Sequence, residues 1–216
     1  MVAAREAARR PMPPDYSHEE TAARPVCGID EAGCGPWAGP VVAAAVVLDP
    51  GCIPEGLDDS KRLTAARRES LFAALAGCAR IGVGVASVEE IDRINILQAR
   101  FLAMRRALAG LGATPAIALI DGHLAPPDLG CPARAIVGGD ALALSIAAAS
   151  IVAKVTRDRM MVALAQQFPG YGWETNMGYG VAAHAEGLAR LGVTPHHRRS
   201  FRPVHNMLLQ GVSLSP

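Results

Sequence analysis

The stretch Val26-Cys-Gly-Ile-Asp-Glu-Ala-Gly-Cys-Gly-Pro-Trp-Ala-Gly-Pro40 constrains this chain more than any other, because it sets two adjacent carboxylates directly before a glycine-rich turn. The apolar residues before Asp30 and the run Val41 to Leu48 after the turn read as two strands of a hairpin, so Asp30 and Glu31 stand where a buried strand emerges. Two buried anions side by side repel each other and resist ionisation. A hard divalent cation such as Mg²⁺ relieves that repulsion, since it takes oxygen ligands and carboxylates supply them. An Asp-Glu pair on a solvated loop is the plainer alternative; the glycine pattern around the pair tips the balance toward the cation.

The rest of the chain supplies the elements of an α/β sheet. Ala65 to Ala76 has helical spacing behind Thr64, a residue suited to capping. Ile81 to Ser87 is β-branched and glycine-spaced and reads as a third strand, lacking both the third glycine of a dinucleotide loop and the lysine of a P-loop. Val88 to Gly110 carries Ile91, Ile94, Leu97, Phe101, Met104 and Leu108 on one side of a helix. Ala116 to Gly122 is a buried strand with Asp121 at its C-terminal tip, where ligands of α/β sheets gather, which makes Asp121 the natural third ligand. Ala133 to Val137 forms a short last strand, and Asp140 reads as the N-cap of a long helix through Gln167, a place that also aims its carboxylate at a fixed point. Strands alternating with helices, the first strands joined by tight turns, give an α/β protein with a mixed sheet.

With 216 residues, 50% hydrophobic and 19% charged, the chain can bury one sizeable core. We place that domain at 25–205, between a mobile arm (1–24) and a tail (206–216). The arm's Glu6, Asp15, Glu19 and Glu20 argue against an organellar transit peptide. The most apolar segment, Ala141 to Ala153, is closed by Asp140 and Lys154 and falls short of the roughly 20 residues of a spanning helix, so no membrane partner is expected. Cys27, Cys34, Cys52, Cys78 and Cys131 form no Cys-x-x-Cys pair and follow no secretory leader, which points to the cytoplasm. Net charge is only +1, yet from Ile151 onward seven Lys or Arg face three acids. Either this is an ordinary solvated surface, or it is a basic face that holds nucleic-acid phosphates while the carboxylates cut.

Several residues keep two readings. Ser60, Lys61 and Arg62 either grip a phosphate or merely lead into the next helix. Tyr171, Trp173 and Tyr179 either fill the core or stack on bases and sugars beside the basic segment His196 to Arg202. His196 and His197 have no matching Cys or His cluster for a metal. Ser150-Ile-Val-Ala-Lys154 matches the Ser-x-x-Lys of acyl hydrolases, but neither Ser-Asp-Asn nor Lys-Thr-Gly occurs, so Ser150 is expected to pack within its helix.

Gly28-Ile-Asp-Glu-Ala-Gly, Asp59-Ser-Lys, Ile120-Asp-Gly, Gly139-Asp140 with Ala147 to Arg159, Gly178-Tyr179 and His197-Arg-Arg-Ser-Phe201 resemble ribonuclease HII, the bacterial type 2 ribonuclease H, in order and over nearly all of Pro25 to Val204. The resemblance implies a ribonuclease H-like fold, a mixed sheet flanked by helices with a C-terminal helical portion. It implies an active centre of Asp30, Glu31, Asp121 and Asp140, with Asp30, Glu31 and Asp121 holding Mg²⁺ or Mn²⁺. The implied reaction is two-metal cleavage of RNA in RNA–DNA duplexes and at ribonucleotides embedded in DNA, with ions roughly 3.5–4 Å apart, leaving 3′-hydroxyl and 5′-phosphate ends. Substrate contacts are implied for Gly33, Cys34 and Gly35 at the 2′-hydroxyl, for Ser60, Lys61 and Lys154, and for Tyr179 at the following sugar. A monomer is expected. The sister ribonuclease HIII carries an extra N-terminal domain that the arm before Val26 is too short to be. Two positions depart from the family pattern: Cys34 stands where Arg is usual and Met177 where Lys is frequent, removing two charges that could face phosphate.

Overall fold

The computed structural model describes residues 12–212 and centres on β1 (Val26–Ala32), the middle strand of a five-stranded sheet. On one side β1 pairs antiparallel with β2 (Val41–Leu48), which pairs antiparallel with β3 (Ala79–Ala86). On the other side β4 (Ile117–Asp121) lies parallel to β1, and β5 (Ala133–Ile136) parallel to β4. The sheet is mixed as expected, though not through tight turns. Loop 33–40 joins β1 to β2, and α2 (Ala65–Cys78) lies between β2 and β3.

Helices cover both faces, which is why β2 reads as an unbroken apolar run rather than an alternation. Ala43 and Ala45 face α3 (Val88–Gly110) through Phe101, Met104 and Leu108. Their neighbours Ala44 and Val46 face α4 (Leu144–Gln167) through Ala147, Ile151 and Val152. Small residues let α4 come close: a Cβ on Gly28 would collide with the backbone of Ser145 and Ile146. This contact sets the start of α4 directly against β1. Ser150 is buried in α4, and its Oγ accepts the Ser60 N–H at 3.1 Å, so it anchors the 57–64 loop.

Two expectations change at the start of α4. Asp140 is not its N-cap: it lies in a 3-10 turn (Gly139–Ala141), and the cap position is Ala143, whose methyl cannot accept a hydrogen bond. The carboxylate that serves the helix comes from the supposed arm. Within α1 (Ser17–Glu20), Glu19 is buried and its Oε1 accepts the Ser145 N–H at 2.8 Å, an anion at a helix N-terminus. Asp15 backbone groups bond Leu142 and Leu144 as well. Residues 12–24 therefore dock on the sheet domain, whereas residues 1–11 lie outside the described residues.

The C-terminal elements α5 (Trp173–Asn176), α6 (Ala182–Leu191) and α7 (Arg202–Val212) build a smaller core around Trp173 and Met161. The expected boundary at 206 falls inside α7, whose Val204 and Met207 pack on that core; residues 213–216 lie outside the described residues. Among the described residues no helix is long and apolar enough to cross a membrane.

Candidate active site

The sheet brings its acids together at one end. Asp30 sits near the end of β1, Asp121 ends the parallel neighbour β4, and Asp140 follows in the turn before α4. Each offers a carboxylate oxygen within 4.8 Å of the others'. Asp121 is fixed by the Gly139 N–H, which donates to its Oδ1 at 2.8 Å, and Asp30 Oδ1 accepts the Glu31 N–H at 2.7 Å. Glu31 points to the neighbouring space, where its Oε1 lies 3.5 Å from Arg100 Nε and accepts the Cys34 thiol at 3.5 Å. The tight triad is thus Asp30, Asp121 and Asp140, with Glu31 alongside.

Charge is under-compensated here. Burial pushes the Asp30 carboxyl well above its ordinary range, and the charges of Glu31 and Asp121 add to it. Burial also raises Glu31, against the pull of Arg100. Asp140 is raised by burial although Lys61 donates to its Oδ2 at 3.0 Å and partly offsets the effect. Hard oxygen donors in a cluster that resists ionising fit a divalent cation of the Mg²⁺ or Mn²⁺ kind, and the buried Glu31 Oε2, which has no hydrogen-bond partner, fits it too.

A cavity of about 340 Å³ opens over the acids, lined by Asp30, Glu31, Asp121, Gly33, Cys34, Gly35, Ser60, Lys61, Lys154 and Tyr179. Every residue expected from the sequence is therefore at this cleft, Asp140 through its place in the triad. Lys61 is exposed, its ammonium 3.0 Å from Asp140 Oδ2 and 3.6 Å from Asp59 Oδ1. Ser60 is buried, its N–H on Ser150 and its carbonyl on Arg68 Nη1. Lys154 is shared with Asp158 at 2.8 Å.

The basic C-terminal third is exposed at Arg159, Arg190, Arg199 and Arg202, but two of the cations in its charge count lie inside the fold. Arg157 and Arg198 are buried, with 1% and 0% of their surface exposed. Both spend their guanidinium groups on backbone carbonyls. Arg198 donates to Gly39 O (2.9 Å), Cys34 O (3.0 Å), Gly33 O (2.6 Å) and Pro40 O (3.2 Å). Arg157 donates to Pro40 O (2.9 Å), Met177 O (3.0 Å) and Ala38 O (3.1 Å). Gly33 has φ +96°, and a Cβ there would collide with Arg157, so this position requires glycine. The consequence reaches the cleft. In a planar trans peptide the C=O and the next N–H point opposite ways. With the carbonyls of Gly33 and Cys34 turned to Arg198, the N–H groups of Cys34 and Gly35 point away from it, and among the described residues neither meets an acceptor.

The two departures from the family pattern also have places. The Cys34 side chain is half-buried against the α3 core, and burial with the nearby Glu31 charge pushes its thiol up to about 12. Met177 takes a left-handed backbone (φ 51°) and packs on the C-terminal core.

The aromatics divide. Tyr171 and Trp173 are core, with 3% and 0% exposed, while Tyr179 is 45% exposed and its ring lies beside Gly35. Its backbone is held from below: His184 Nδ1 lies 3.0 Å from Tyr179 O, and His184 Nε2 lies 3.0 Å from Trp173 Nε1 and 3.1 Å from His197 Nε2. His197 Nδ1 in turn accepts from the Thr194 N–H at 3.0 Å. One assignment gives every contact a donor and an acceptor: both imidazoles neutral, with the proton on Nδ1 of His184 and on Nε2 of His197, the single lone pair of His184 Nε2 being shared between Trp173 and His197. Burial agrees, lowering His184 and taking His197 to about 3. Sequence reasoning gave no individual site role to His184 or Arg100, and it read Arg157 and Arg198 only as part of a basic face; both lie in motifs that carry the resemblance, but the carbonyls they hold are set by tertiary contacts.

Comparison with known proteins matches this architecture. Residues 27–204 fit the ribonuclease HII family. A ribonuclease HII from Cereibacter sphaeroides is 64% identical, over 94% of this chain and 98% of its own, and one from Paracoccus denitrificans is 62% identical, over 90% and 95%. The crystal structure of ribonuclease H2 from Pyrococcus horikoshii superposes with a TM-score of 0.70 at 29% identity, covering 86% of this chain and 97% of that one. The matched segment runs from β1 into α7 and contains every acid, loop and cation of the cleft, so the chain belongs to the ribonuclease HII family.

Proposed function

We propose that this endoribonuclease of RNA–DNA hybrids also nicks duplex DNA at single embedded ribonucleotides, using Asp30, Glu31, Asp121 and Asp140 with Mg²⁺ or Mn²⁺ and leaving 3′-hydroxyl and 5′-phosphate ends. The observation that carries the reading is the convergence of Asp30, Asp121 and Asp140 beneath a loop whose amides are turned outward. Bound divalent cations supply Lewis-acid assistance at the phosphodiester and at the departing oxygen. The chain's own groups then have separable tasks. Asp30, Asp121 and Asp140 hold the ions, and Glu31 joins them. The Cys34 and Gly35 N–H groups donate to the 2′-hydroxyl, the group that distinguishes RNA from DNA. Lys61 and Lys154 receive phosphates, and the exposed Tyr179 ring packs on the sugar after the ribonucleotide. The free cysteines support a reducing cytoplasm as the site of action, and a monomer is the proposed state.

The test is a DNA duplex carrying one ribonucleotide, incubated with Mg²⁺, Mn²⁺ or a chelator, the cut being mapped on a sequencing gel. A nick at the ribonucleotide that disappears with chelator is expected. Cutting of an all-DNA duplex at the same rate, or cutting in chelator, would overturn the assignment.

A further inference from the structure

Glu31 differs from the other acids in being held from α3. Arg100 Nε lies 3.5 Å from Glu31 Oε1, and only 21% and 14% of the two side chains are exposed. The contact is an ion pair without a hydrogen bond: Arg100 Nε is a buried donor lacking an acceptor, and Glu31 Oε2 a buried acceptor lacking a donor. Folded proteins leave few such atoms unsatisfied, and each one asks for an explanation such as an absent ligand.

The chain has a specific device for placing Arg100. α3 breaks at Asn95 (φ 67°, ψ 166°), and Asn95 Oδ1 accepts the N–H groups of Leu97 at 3.0 Å and Gln98 at 3.1 Å, which caps a restarted helix. Arg100 belongs to that restarted part. Its guanidinium reaches the turn after Asp121, where a Cβ on Gly122 would stand 3.7 Å from Arg100 Nη2. The acids thus have a cation at each end, Lys61 on Asp140 and Arg100 on Glu31, while Asp30 and Asp121 have none among the described residues.

We propose that Arg100 is a positioning residue: together with the Cys34 thiol it pins Glu31 Oε1 and so presents Oε2 as one free ligand oxygen to a cation at the Asp30–Asp121–Asp140 cluster. The proposal rests on that cluster being the cation site. Without Arg100 the Glu31 carboxylate rotates freely, and a cation has to order it on binding, which costs conformational entropy. Arg100 is also a positive charge near the site, so if it served only as a competing cation its loss would tighten cation binding. The two roles predict opposite signs.

The experiment measures Mn²⁺ binding by calorimetry on the full chain without nucleic acid, followed by steady-state cleavage of a hybrid. Arg100→Gln should weaken Mn²⁺ binding by roughly ten- to hundredfold, the range for residues that orient a ligand, and lower kcat with KM for the hybrid unchanged. Arg100→Lys should recover most of the loss. In a Glu31→Gln background, Arg100→Gln should have no further effect on Mn²⁺ binding. Parent-like or tighter binding by Arg100→Gln, a rise in KM alone, or an equal loss in the Glu31→Gln background would each overturn the proposal. If Arg100→Gln does not fold, Arg100→Met, which keeps the buried stem, replaces it with the same expected result. Asp121→Asn is the control: if it binds Mn²⁺ as the parent does, the cluster assignment has failed rather than the role of Arg100.

Discussion

Buried charge of opposite sign occupies two adjoining regions of this molecule and is treated differently in each. The guanidinium groups of Arg157 and Arg198 face no carboxylate, yet each is surrounded by carbonyl oxygens of loop 33–40 and its neighbours. Burial and the proximity of Arg157 lower Arg198 to about 9, so it stays charged at neutral pH. The acids across the loop are left short of partners, with Asp30 raised by burial and by Glu31. A saturated charge holds structure in place, whereas an unsaturated one stores a demand for a ligand. The loop between them inherits both properties: rigid on its carbonyl side, open on its amide side.

Neutralising one acid should break the functional half of this comparison and spare the structural half. Asp121→Asn keeps the shape of the strand tip but holds a cation poorly. Because bound cations contribute several kcal/mol to such transition states, cleavage should fall by about a thousandfold or more, with the thermal midpoint unchanged or higher. Hybrid cleavage at the parent rate by the folded variant would misplace the site. The converse break is Arg198→Ala. It strips the carbonyls of Gly33, Cys34, Gly39 and Pro40 of their donor, and a hydrogen bond involving a charged group contributes about 1.5–3 kcal/mol net of exchange with water, a sum reduced here because the four share one guanidinium and water can enter. A loss of about 3 kcal/mol in urea denaturation is expected, with cleavage falling as the amides lose their orientation. Parental stability would show the cradle to be dispensable.

Which parts of this were legible beforehand follows the same division. Periodicity exposed the strands and helices: Val88–Gly110 is the helix that its apolar side announces, and β4 ends at Asp121 as its apolar run requires. Asp30, Glu31 and Asp121 stood out because a carboxylate near the end of a buried strand is anomalous in one dimension, whereas Asp140, in a turn, was read locally as a cap and joined them through the resemblance. Arg157 and Arg198 did not stand out, because a cation in a polar-looking segment is indistinguishable from surface until loop 33–40 is seen to fold over it. Glu19 taught the same lesson from the other end of the chain: the cap assigned locally to Asp140 is supplied across the fold, and no window around Ser145 contains it.

Tyr179 stands on the boundary between the two regions, its backbone tied to the imidazoles and its ring in the cleft. Tyr179→Ala removes an exposed ring, so the thermal midpoint should stay near the parent's. If the ring packs on the sugar, burying its apolar face contributes about 1.5–3 kcal/mol and predicts a roughly ten- to hundredfold loss at a single embedded ribonucleotide. Comparing cleavage of that duplex with cleavage of a continuous hybrid checks it; equal losses on both would remove Tyr179 from junction recognition.

Titration sharpens the comparison more gently. Raised carboxylate pKa values mean that the folded chain binds more protons than the unfolded one between the ordinary 3.8 of Asp30 and its higher folded value. Stability without metal therefore falls as pH rises through that window, by at most about 1.4 kcal/mol per pH unit per group. The buried His197, lowered to about 3, acts in the other direction, withdrawing stability as pH falls below the ordinary 6.5. Since the histidines are shared, the difference between parent and Asp30→Asn isolates the acid. That difference should grow in favour of Asp30→Asn from about pH 4 toward neutrality and shrink in saturating Mn²⁺. A difference independent of pH would mean that Asp30 is not under the strain its surroundings imply.

The smallest effect belongs to Cys34, where the two regions meet. Its carbonyl is held by Arg198, its thiol lies against Glu31, and its side chain packs on the α3 core, so the position is read through its backbone. Putting a cation there would restore the usual family residue, and if that side chain reached a phosphate, the slope of log K against log salt would steepen by roughly 0.9. The packing predicts otherwise. An arginine following the thiol's direction would run into Glu31 and the guanidinium of Arg100, which already occupies that side. Cys34→Arg should therefore leave the salt slope of hybrid binding unchanged and lower the thermal midpoint by a few degrees, roughly the effect of 1 kcal/mol of overpacking. Binding measured over a salt series decides the matter. A slope steeper by about 0.9 without loss of stability would show that the side chain turns outward, and that the cleft has room for a phosphate contact which Cys34 leaves unfilled.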